Sequence, residues 1–165
     1  MILSVGDKVS YPCQGPCLVG PVVERVVDGK PTEFYHLIVL GDAGGDLFIP
    51  VDDQAPSRGV RRLLDRSEIP KVLERLQRAA GAAKNWKRRA IDNSKLFATG
   101  SAFDLAEIVE SLSGLAETKP LSPGDRQTLQ RARKLLVCEI SEVTGAIQSV
   151  AEAQIDGALK VRKDA

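Results

Sequence analysis

The spacing of apolar residues changes once along this chain, near residue 57, and this change limits the possible folds more than any other sequence feature. Before it, short runs of β-branched and aromatic residues alternate with turn residues, which predicts strands. After it, apolar residues recur three and four positions apart, which predicts helices. The sequence therefore predicts an α+β protein with one domain over residues 1–56 and a second, compact helical domain over residues 57–165.

The first domain has four runs with strand character. Asp28-Gly29, between two of them, suits a two-residue hairpin turn because both residue types tolerate positive φ. Four or five strands in about 55 residues predict a small antiparallel β-barrel of the SH3 or Tudor type. Such barrels are usually binding modules, so a protein partner is expected. The predicted strands are 7–11, 18–27, 32–40 and 46–51, with further turns at Pro12, Gly15-Pro16 and 41–45.

Capping signals divide the second domain into helices. Ser67 is a possible start and Gly81 a stop for the first helix, and Gly100 ends the second. Ser101 with Asp104 resembles a capping box, and Ser122 before Pro123 predicts the start of the longest helix, which runs to about residue 143. The tail, 160–165, is expected to fray.

Each predicted helix has an apolar stripe that is expected to face the core. The stripes are Val72, Leu73 and Leu76; Trp86, Ile91 and Leu96; Leu105, Ile108, Val109 and Leu112; Leu129, Ala132, Leu136 and Ile140; and Ile147, Val150, Ala151, Ile155 and Leu159.

The two domains differ in net charge. Residues 1–56 contain three basic and eight acidic residues, whereas residues 57–165 contain twenty basic and fourteen acidic ones. Only the basic domain would gain from releasing counterions at phosphates, so the pattern suits a bridge between a protein and a nucleic acid. Charge alone leaves this open, because many helical domains are modestly basic without binding DNA.

Two basic groups are candidates for contact with DNA. In Asn85-Trp86-Lys87-Arg88-Arg89 the single tryptophan precedes three cations, which suits phosphate contacts beside a ring that presses on a base step or enters a minor groove. Arg126, Arg133 and Lys134 flank the stripe of the longest helix. The alternative is that Trp86 anchors a core and that all these cations are solvated helix faces.

The sequence gives little evidence for a metal site, a redox site or a catalytic site. Cys13 and Cys17 lie four residues apart, but a zinc site needs four ligands and only Cys138 and His36 remain, on different predicted elements. We expect no metal and three free thiols that are small and buried. His36 has no readable nucleophile or orienting acid, and the loop 41–45 lacks the Lys and Ser/Thr of a phosphate-binding loop. The chain is therefore expected to be no enzyme, with no cofactor and no small-molecule substrate.

No membrane association is expected. Spanning a bilayer takes about 20 apolar residues in succession, and no run approaches that length. The first seven residues also lack a basic stretch followed by a signal-type apolar core. These features predict a cytoplasmic protein.

A series of short motifs follows in a specific order. The first part has Val5-Gly6-Asp7-Lys8-Val9, Tyr11-Pro12, Gly15, Ile49-Pro50-Val51 and Gly59-Val60-Arg61. The second has Asn85-Trp86-Lys87-Arg88-Arg89, Thr99-Gly100-Ser101, Ala106-Glu107-Ile108-Val109, Leu121-Ser122-Pro123-Gly124-Asp125-Arg126 and Ala132-Arg133-Lys134-Leu135-Leu136. The series resembles the CarD (CdnL) family of bacterial transcription regulators over nearly the whole chain.

The resemblance implies that the first domain is a Tudor-like module that docks on the RNA polymerase β subunit. Arg25 falls on the position of a family arginine that pairs with that subunit. Phe48 stands where some relatives have a second arginine, so an aromatic ring is expected to pack on the partner there. Other matching positions, Tyr11, Pro12, Gly15 and Pro50, are interpreted as scaffold.

The resemblance also implies that the helical domain contacts promoter DNA. Trp86 matches a tryptophan that inserts at the minor groove beside the upstream edge of the melted −10 region and stabilises the open complex. Arg88, Arg89 and Arg126 match basic positions, so phosphate contacts are expected of them, and Lys87 stands where the motif varies. The full set of predicted DNA-binding residues is Trp86, Lys87, Arg88, Arg89, Arg126, Arg133 and Lys134.

Two functions stay open at the level of the sequence. One is a polymerase-docked regulator whose DNA contacts read shape more than sequence, because the minor-groove code is degenerate. The other is a protein-interaction adaptor that binds polymerase or a related factor without direct DNA contact.

Overall fold

The computed structural model describes residues 2–52, 54–79 and 85–164, apart from the side chain of Trp86. Within this part of the chain, six antiparallel strands form one sheet and five helices follow it, which confirms the predicted α+β class. The strands are β1 (Lys8–Tyr11), β2 (Gly15–Val19), β3 (Val23–Val27), β4 (Lys30–Val39), β5 (Asp46–Pro50) and β6 (Arg61–Arg62).

The ten-residue strand β4 organises the sheet. It pairs with β3 near its start and with β2 near its end, and β5 pairs along its other edge. The order β3-β4-β2-β1-β6 completes the sheet. Asp28 and Gly29 connect β3 to β4 with φ of 52° and 76°, which confirms the predicted hairpin turn.

Two strand predictions need correction. The predicted strand 18–27 is two strands, β2 and β3, divided at Gly20-Pro21, where proline removes a ladder N–H. Gly15-Pro16, predicted as a turn, begins β2. The turn lies just before it, where Cys13 has a φ of 66°. The predicted boundary at residue 56 stays a prediction, although β6 continues the sheet beyond it.

The helices are α1 (Ile69–Leu76), α2 (Trp86–Thr99), α3 (Ala102–Thr118), α4 (Pro123–Thr144) and α5 (Gln148–Asp164). Ser101 and Ser122 cap α3 and α4 as predicted, since their hydroxyls accept bonds from N–H groups of the following turn. Asp104 does not complete the predicted capping box, because the N–H of Ser101 donates to Thr99 and the Asp104 carboxylate accepts from the same hydroxyl. A short 3-10 turn capped by Asp65 and Glu68 precedes α1, so the predicted cap Ser67 is wrong. Gly81, the predicted stop, lies outside the described residues.

Other helix predictions also change. Ile91 is 51% exposed, because the buried face of α2 contains Asn93 and Phe97. Ile147 and Val150, predicted to face the core, are both exposed; Ile147 precedes α5, and Val150 lies in its first turn. The tail predicted to fray is helical to Asp164, where Arg162 Nε donates to Glu110 Oε1 of α3 at 2.6 Å.

The sheet and the helices each have a core. The sheet core includes Val9, Val19, Tyr35, Leu37, Ile49 and Val60. The helical core includes Val72, Leu76, Ile108, Leu112, Leu136, Ile140 and Ile155. None of the helices in the described ranges is both long and apolar enough to cross a membrane.

The two cores meet where α4 packs on β2, a contact that we call the sheet–helix junction. Arg61 of β6 donates through both terminal nitrogens to the buried carboxylate of Glu139, at 2.7 and 2.8 Å. The same carboxylate accepts from the N–H of Leu64, and Arg61 Nε donates to the carbonyl of Gly100. Lys8 pairs with Glu142 at the edge of this contact. The junction therefore fixes the sheet against α4 by polar as well as apolar contacts.

Candidate functional site

One face of the sheet brings Arg25 and Phe48 together. Arg25 lies opposite Thr32 of β4, and Phe48 lies opposite His36 of the same strand. Directly opposed residues share a face, and alternate residues of one strand do so too. The guanidinium carbon of Arg25 lies 4.8 Å from the centre of the Phe48 ring, and the His36 ring stacks on that ring at 4.8 Å. We call these residues, with Val23 and Phe34, the outer sheet surface.

The outer sheet surface has the composition of a protein contact. Phe48 is 40% exposed although two side chains lie on its ring. Aromatic rings and arginines are the side chains most enriched in protein–protein interfaces. His36 Nε2 lies 2.7 Å from Asp46 Oδ1, which holds the stacked imidazole in place. Sequence reasoning missed this role of His36, since only the β4–β5 register places it opposite Phe48.

The first turn of α2 contains the tryptophan and its three basic neighbours. Trp86 is the first residue of the helix, and its side chain lies outside the described part of the structure. Asn85 caps the helix, because its Oδ1 accepts from the N–H of Arg88 at 2.9 Å. Lys87 and Arg88 are exposed, and Arg88 forms an ion pair one turn along with Asp92 at 3.4 Å. The positive end of the helix dipole adds to this charge.

Arg89 differs from its neighbours. Its side chain is 14% exposed, and its Nη2 lies 2.9 Å from Asp125 Oδ2. Asp125 is in the first turn of α4, so this pair brings the first turns of α2 and α4 together. Arg126 follows Asp125 and is exposed.

The three predicted cations of α4 do not form one row. Arg126 and Arg133 are seven residues apart, about 20° around the helix and about 10 Å along it, and both line a shallow depression at the start of α4. Arg133 forms an ion pair with Asp156 of α5. Lys134 lines a different cleft, together with Asp42 and Glu152. The structure thus groups Arg126 with Arg133 and separates Lys134 from them.

A groove of about 710 Å³, with a mixed polar and apolar lining, lies between α2 and α4. Asn93 and Ser94 line it from α2, and Thr128 and Arg131 line it from α4. Arg131 lies with its guanidinium carbon 5.3 Å from the centre of the Phe97 ring and donates to the carbonyl of Cys13. Sequence reasoning missed Arg131, because its partners are remote in sequence.

The cysteines differ in exposure. Cys17 and Cys138 are buried, and burial is the main cause that raises the pKa of each thiol to about 11. The neighbouring Cys138 raises the pKa of Cys17 further, and Glu142 does the same for Cys138. Cys13 is partly exposed, in the turn before β2, so the prediction of a buried thiol is wrong at this position. Across the described ranges, no three His, Cys, Asp or Glu side chains cluster in a way that could hold a metal ion.

Family models match both parts of the chain. The model of the CarD-like/TRCF RID domain matches residues 3–63, which contain the sheet. The model of the CarD C-terminal domain matches residues 69–156, which contain most of the helical part. The chain therefore belongs to the CarD family of RNA polymerase-interacting transcription factors. This membership confirms the resemblance seen in the sequence and gives transcription regulation as the class of function.

Proposed function

We propose that the protein docks on the β subunit of RNA polymerase and stabilises the open promoter complex. In this proposal residues 1–56 form the docking domain, with Arg25 and Phe48 of the outer sheet surface on the partner. Residues 57–165 form the DNA-binding domain, with the Trp86 ring as a wedge in the minor groove at the upstream edge of the bubble. The observation that supports it most is the meeting of two helix N-termini, with exposed Lys87, Arg88 and Arg126, in a member of this family.

Electrostatics favours phosphate at these helix ends. The first turns of α2 and α4 direct backbone N–H groups and positive dipole ends to one region of the surface. Lys87, Arg88 and Arg126 add formal charge there. Arg88 pairs with Asp92, but its side chain is 63% exposed. Such exposed pairs contribute at most about 1 kcal/mol to stability, so a phosphate can replace the Asp92 carboxylate. Arg133 and Lys134 are proposed as peripheral contacts.

A single ring can shift promoter melting without driving it. Stacking of a base on an aromatic side chain contributes about 1–3 kcal/mol. A wedge that binds the open form better than the closed form shifts the equilibrium about tenfold for each 1.4 kcal/mol. The sheet–helix junction supports this role, because it fixes the docking surface relative to α4 and, through Arg89 and Asp125, to the start of α2.

Footprinting of the polymerase–promoter complex at several salt concentrations tests the DNA contact. Three phosphate contacts give a log–log slope of about −2.7, and Arg88→Ala should reduce its magnitude by about 0.9. Lys160→Ala, which removes an exposed cation from α5, is the matched control and should leave the slope unchanged. A salt-independent footprint in the wild type would contradict DNA contact.

A pull-down with the polymerase β lobe tests the docking surface. Arg25→Glu should abolish recovery, because it reverses the charge on the outer sheet surface. Arg62→Glu reverses an exposed arginine on β6 and should leave recovery unchanged. Equal recovery of the wild type and Arg25→Glu would remove the docking proposal.

The adaptor function is the second candidate. Ile91 is 51% exposed on α2, two residues after the basic cluster, and would suit an apolar contact with a protein. This function predicts that Ile91→Asp reduces partner binding while the promoter footprint shows no salt dependence. Salt-dependent protection whose slope becomes smaller in Arg88→Ala would exclude it.

A further inference from the structure

The Arg89–Asp125 pair connects the beginning of α2 to the beginning of α4. The two side chains are 14% and 16% exposed, so the pair is largely shielded from water. Asp125 is well anchored, because its N–H donates to the capping hydroxyl of Ser122. A carboxylate in the first turn also interacts favourably with the positive end of the helix dipole. Asp125 is therefore a fixed point to which the guanidinium of Arg89 attaches.

The rest of α2 is held mainly from its other side. It packs chiefly on α3, while the groove separates it from much of α4. Arg131 crosses the groove near the C-terminal end of α2, where it lies over Phe97. At the opposite end, Arg89 and Asp125 make the connection. The position of Trp86, Lys87 and Arg88 thus depends on an ion pair in the same turn.

Adjacent arginines of α2 are unequal as phosphate ligands. The Arg88 side chain is 63% exposed, whereas that of Arg89 is 14% exposed and its Nη2 already donates to Asp125, so a phosphate that took this nitrogen would have to displace the carboxylate. Separating such a pair leaves a charge without its partner in a poorly solvated place, which is strongly unfavourable. A DNA contact by Arg89 would therefore disturb the helix end that presents the other contacts.

We infer that Arg89 is a positioning residue, which acts with Asp125 to hold the first turn of α2 against α4 and does not contact DNA. This differs from the phosphate contact that the sequence predicts for Arg89. In the free protein, the inference is that the pair stabilises the first turn of α2, and this part does not depend on the proposed function. The effect on the open promoter complex does rest on the proposed function.

Charge reversal in the full-length protein tests the inference. Arg89→Asp and Asp125→Arg should each accelerate amide hydrogen exchange at residues 87–90 by about tenfold, which corresponds to about 1.4 kcal/mol. The double variant, in which the charges are exchanged, should return exchange to within about threefold of the wild type. Unchanged exchange in the single variants, or no recovery in the double variant, would overturn the inference.

The lifetime of the open complex separates positioning from phosphate contact. If Arg89 only positions α2, the double variant should recover the lifetime together with the exchange protection. If Arg89 contacts phosphate, exchange would recover but the lifetime would not, and the inference would be overturned. The exchange of Arg88 and Asp92 is the matched control on the same helix. Arg88→Asp should shorten the lifetime of the open complex, and the double variant Arg88→Asp with Asp92→Arg should not restore it, because Arg88 itself is the proposed contact.

Asp104→Asn controls for the general effect of an acid in the first turn of a helix. Asp104 occupies the equivalent position of α3, but its carboxylate accepts from the hydroxyl of Thr99. Exchange at residues 87–90 should stay unchanged in this variant. If the exchange data follow the expected pattern while neither Trp86→Ala nor Arg88→Asp alters the lifetime, the positioning role stands and the proposed function fails.

Discussion

The two ends of α4 contact the rest of the molecule in different ways. Its C-terminal half lies on the sheet, where Glu139 is buried and fully engaged by Arg61 and the N–H of Leu64. Its N-terminal half faces α2 across an open groove, with Asp125 holding Arg89 at the near end. The C-terminal half, at the sheet–helix junction, fixes the sheet relative to the helices. The N-terminal half, beside the groove, leaves cations exposed. One helix thus combines a rigid connection with the surface that is proposed to contact DNA.

Thiol labelling should show the largest difference between the two regions. Cys13 lines the groove and should react quickly, whereas Cys17 and Cys138 are buried at the closed junction and need unfolding to react. We expect their rates to be slower on the order of a thousandfold. Mass spectrometry after a short pulse of alkylating reagent should find one label per chain, and none in Cys13→Ser. Rapid labelling of all three thiols would contradict a sheet–helix junction that excludes the reagent.

The buried thiols of Cys17 and Cys138 give a pH dependence of stability. Burial in the folded protein raises the pKa of each from 9.0 to about 11. The unfolded chain therefore releases these protons first as the pH rises. Their contribution to stability is complete below pH 9 and is lost as the pH rises towards 11.

Glu139→Ala should have the next largest effect. It leaves the guanidinium of Arg61 and the N–H of Leu64 without their carboxylate, which should lower the free energy of unfolding by about 3 kcal/mol. Urea denaturation measures this. Glu142→Ala, which removes the more exposed pair with Lys8, should lower it by less than about 1 kcal/mol. Similar effects of the two variants would contradict the distinction between buried and peripheral contacts.

Gly59→Ala should lower the free energy of unfolding by about 2 kcal/mol. Gly59 has a φ of 83°, and a Cβ there would lie 2.5 Å from Pro12 Cγ. Gly145→Ala isolates the backbone effect, because Gly145 has a φ of 74° with open space around a Cβ, and it should cost about 1 kcal/mol. Thermal or urea denaturation of both variants gives the difference. Equal losses would show that the approach of Gly59 to Pro12 contributes nothing.

The smallest effect is expected at the open groove. Arg131→Ala removes the contact with the Phe97 ring and a hydrogen bond to Cys13, and should cost about 0.5–1 kcal/mol. Arg126→Ala, on the exposed surface of the same helix, should change stability by less than about 0.5 kcal/mol. A loss of about 3 kcal/mol at Arg131 would show that the groove is as firmly held as the junction.

Local features of the fold were predictable from the sequence. Ser101 and Ser122 were identified as caps, and Asp28-Gly29 as the hairpin turn, because these residues act on their own backbone neighbours. The family was also identified from motif order alone. The strand boundaries near Gly15 were not, since a Gly-Pro pair suits both a turn and a strand end.

The pairing of charged residues could not be predicted in the same way. Arg89 pairs with Asp125 at a separation of 36 residues, and Arg61 pairs with Glu139 at 78. Such contacts depend on how helices and strands pack, which periodicity does not encode. The contact of Arg25 with Phe48 likewise depends on the register of three strands. Sequence reasoning therefore found candidate cations without telling binding residues from those that hold the fold.

The most direct test of the proposed function is the lifetime of a competitor-challenged open promoter complex with wild-type protein and with Trp86→Ala. We expect the wild type to lengthen the lifetime of the open complex. With Trp86→Ala the lifetime should be about tenfold shorter than with the wild type, in line with a stacking contribution of about 1–3 kcal/mol. The variant should still be recovered with the polymerase β lobe, because the outer sheet surface is unchanged. Equal lifetimes with the two proteins would contradict stabilisation of the open complex by the tryptophan.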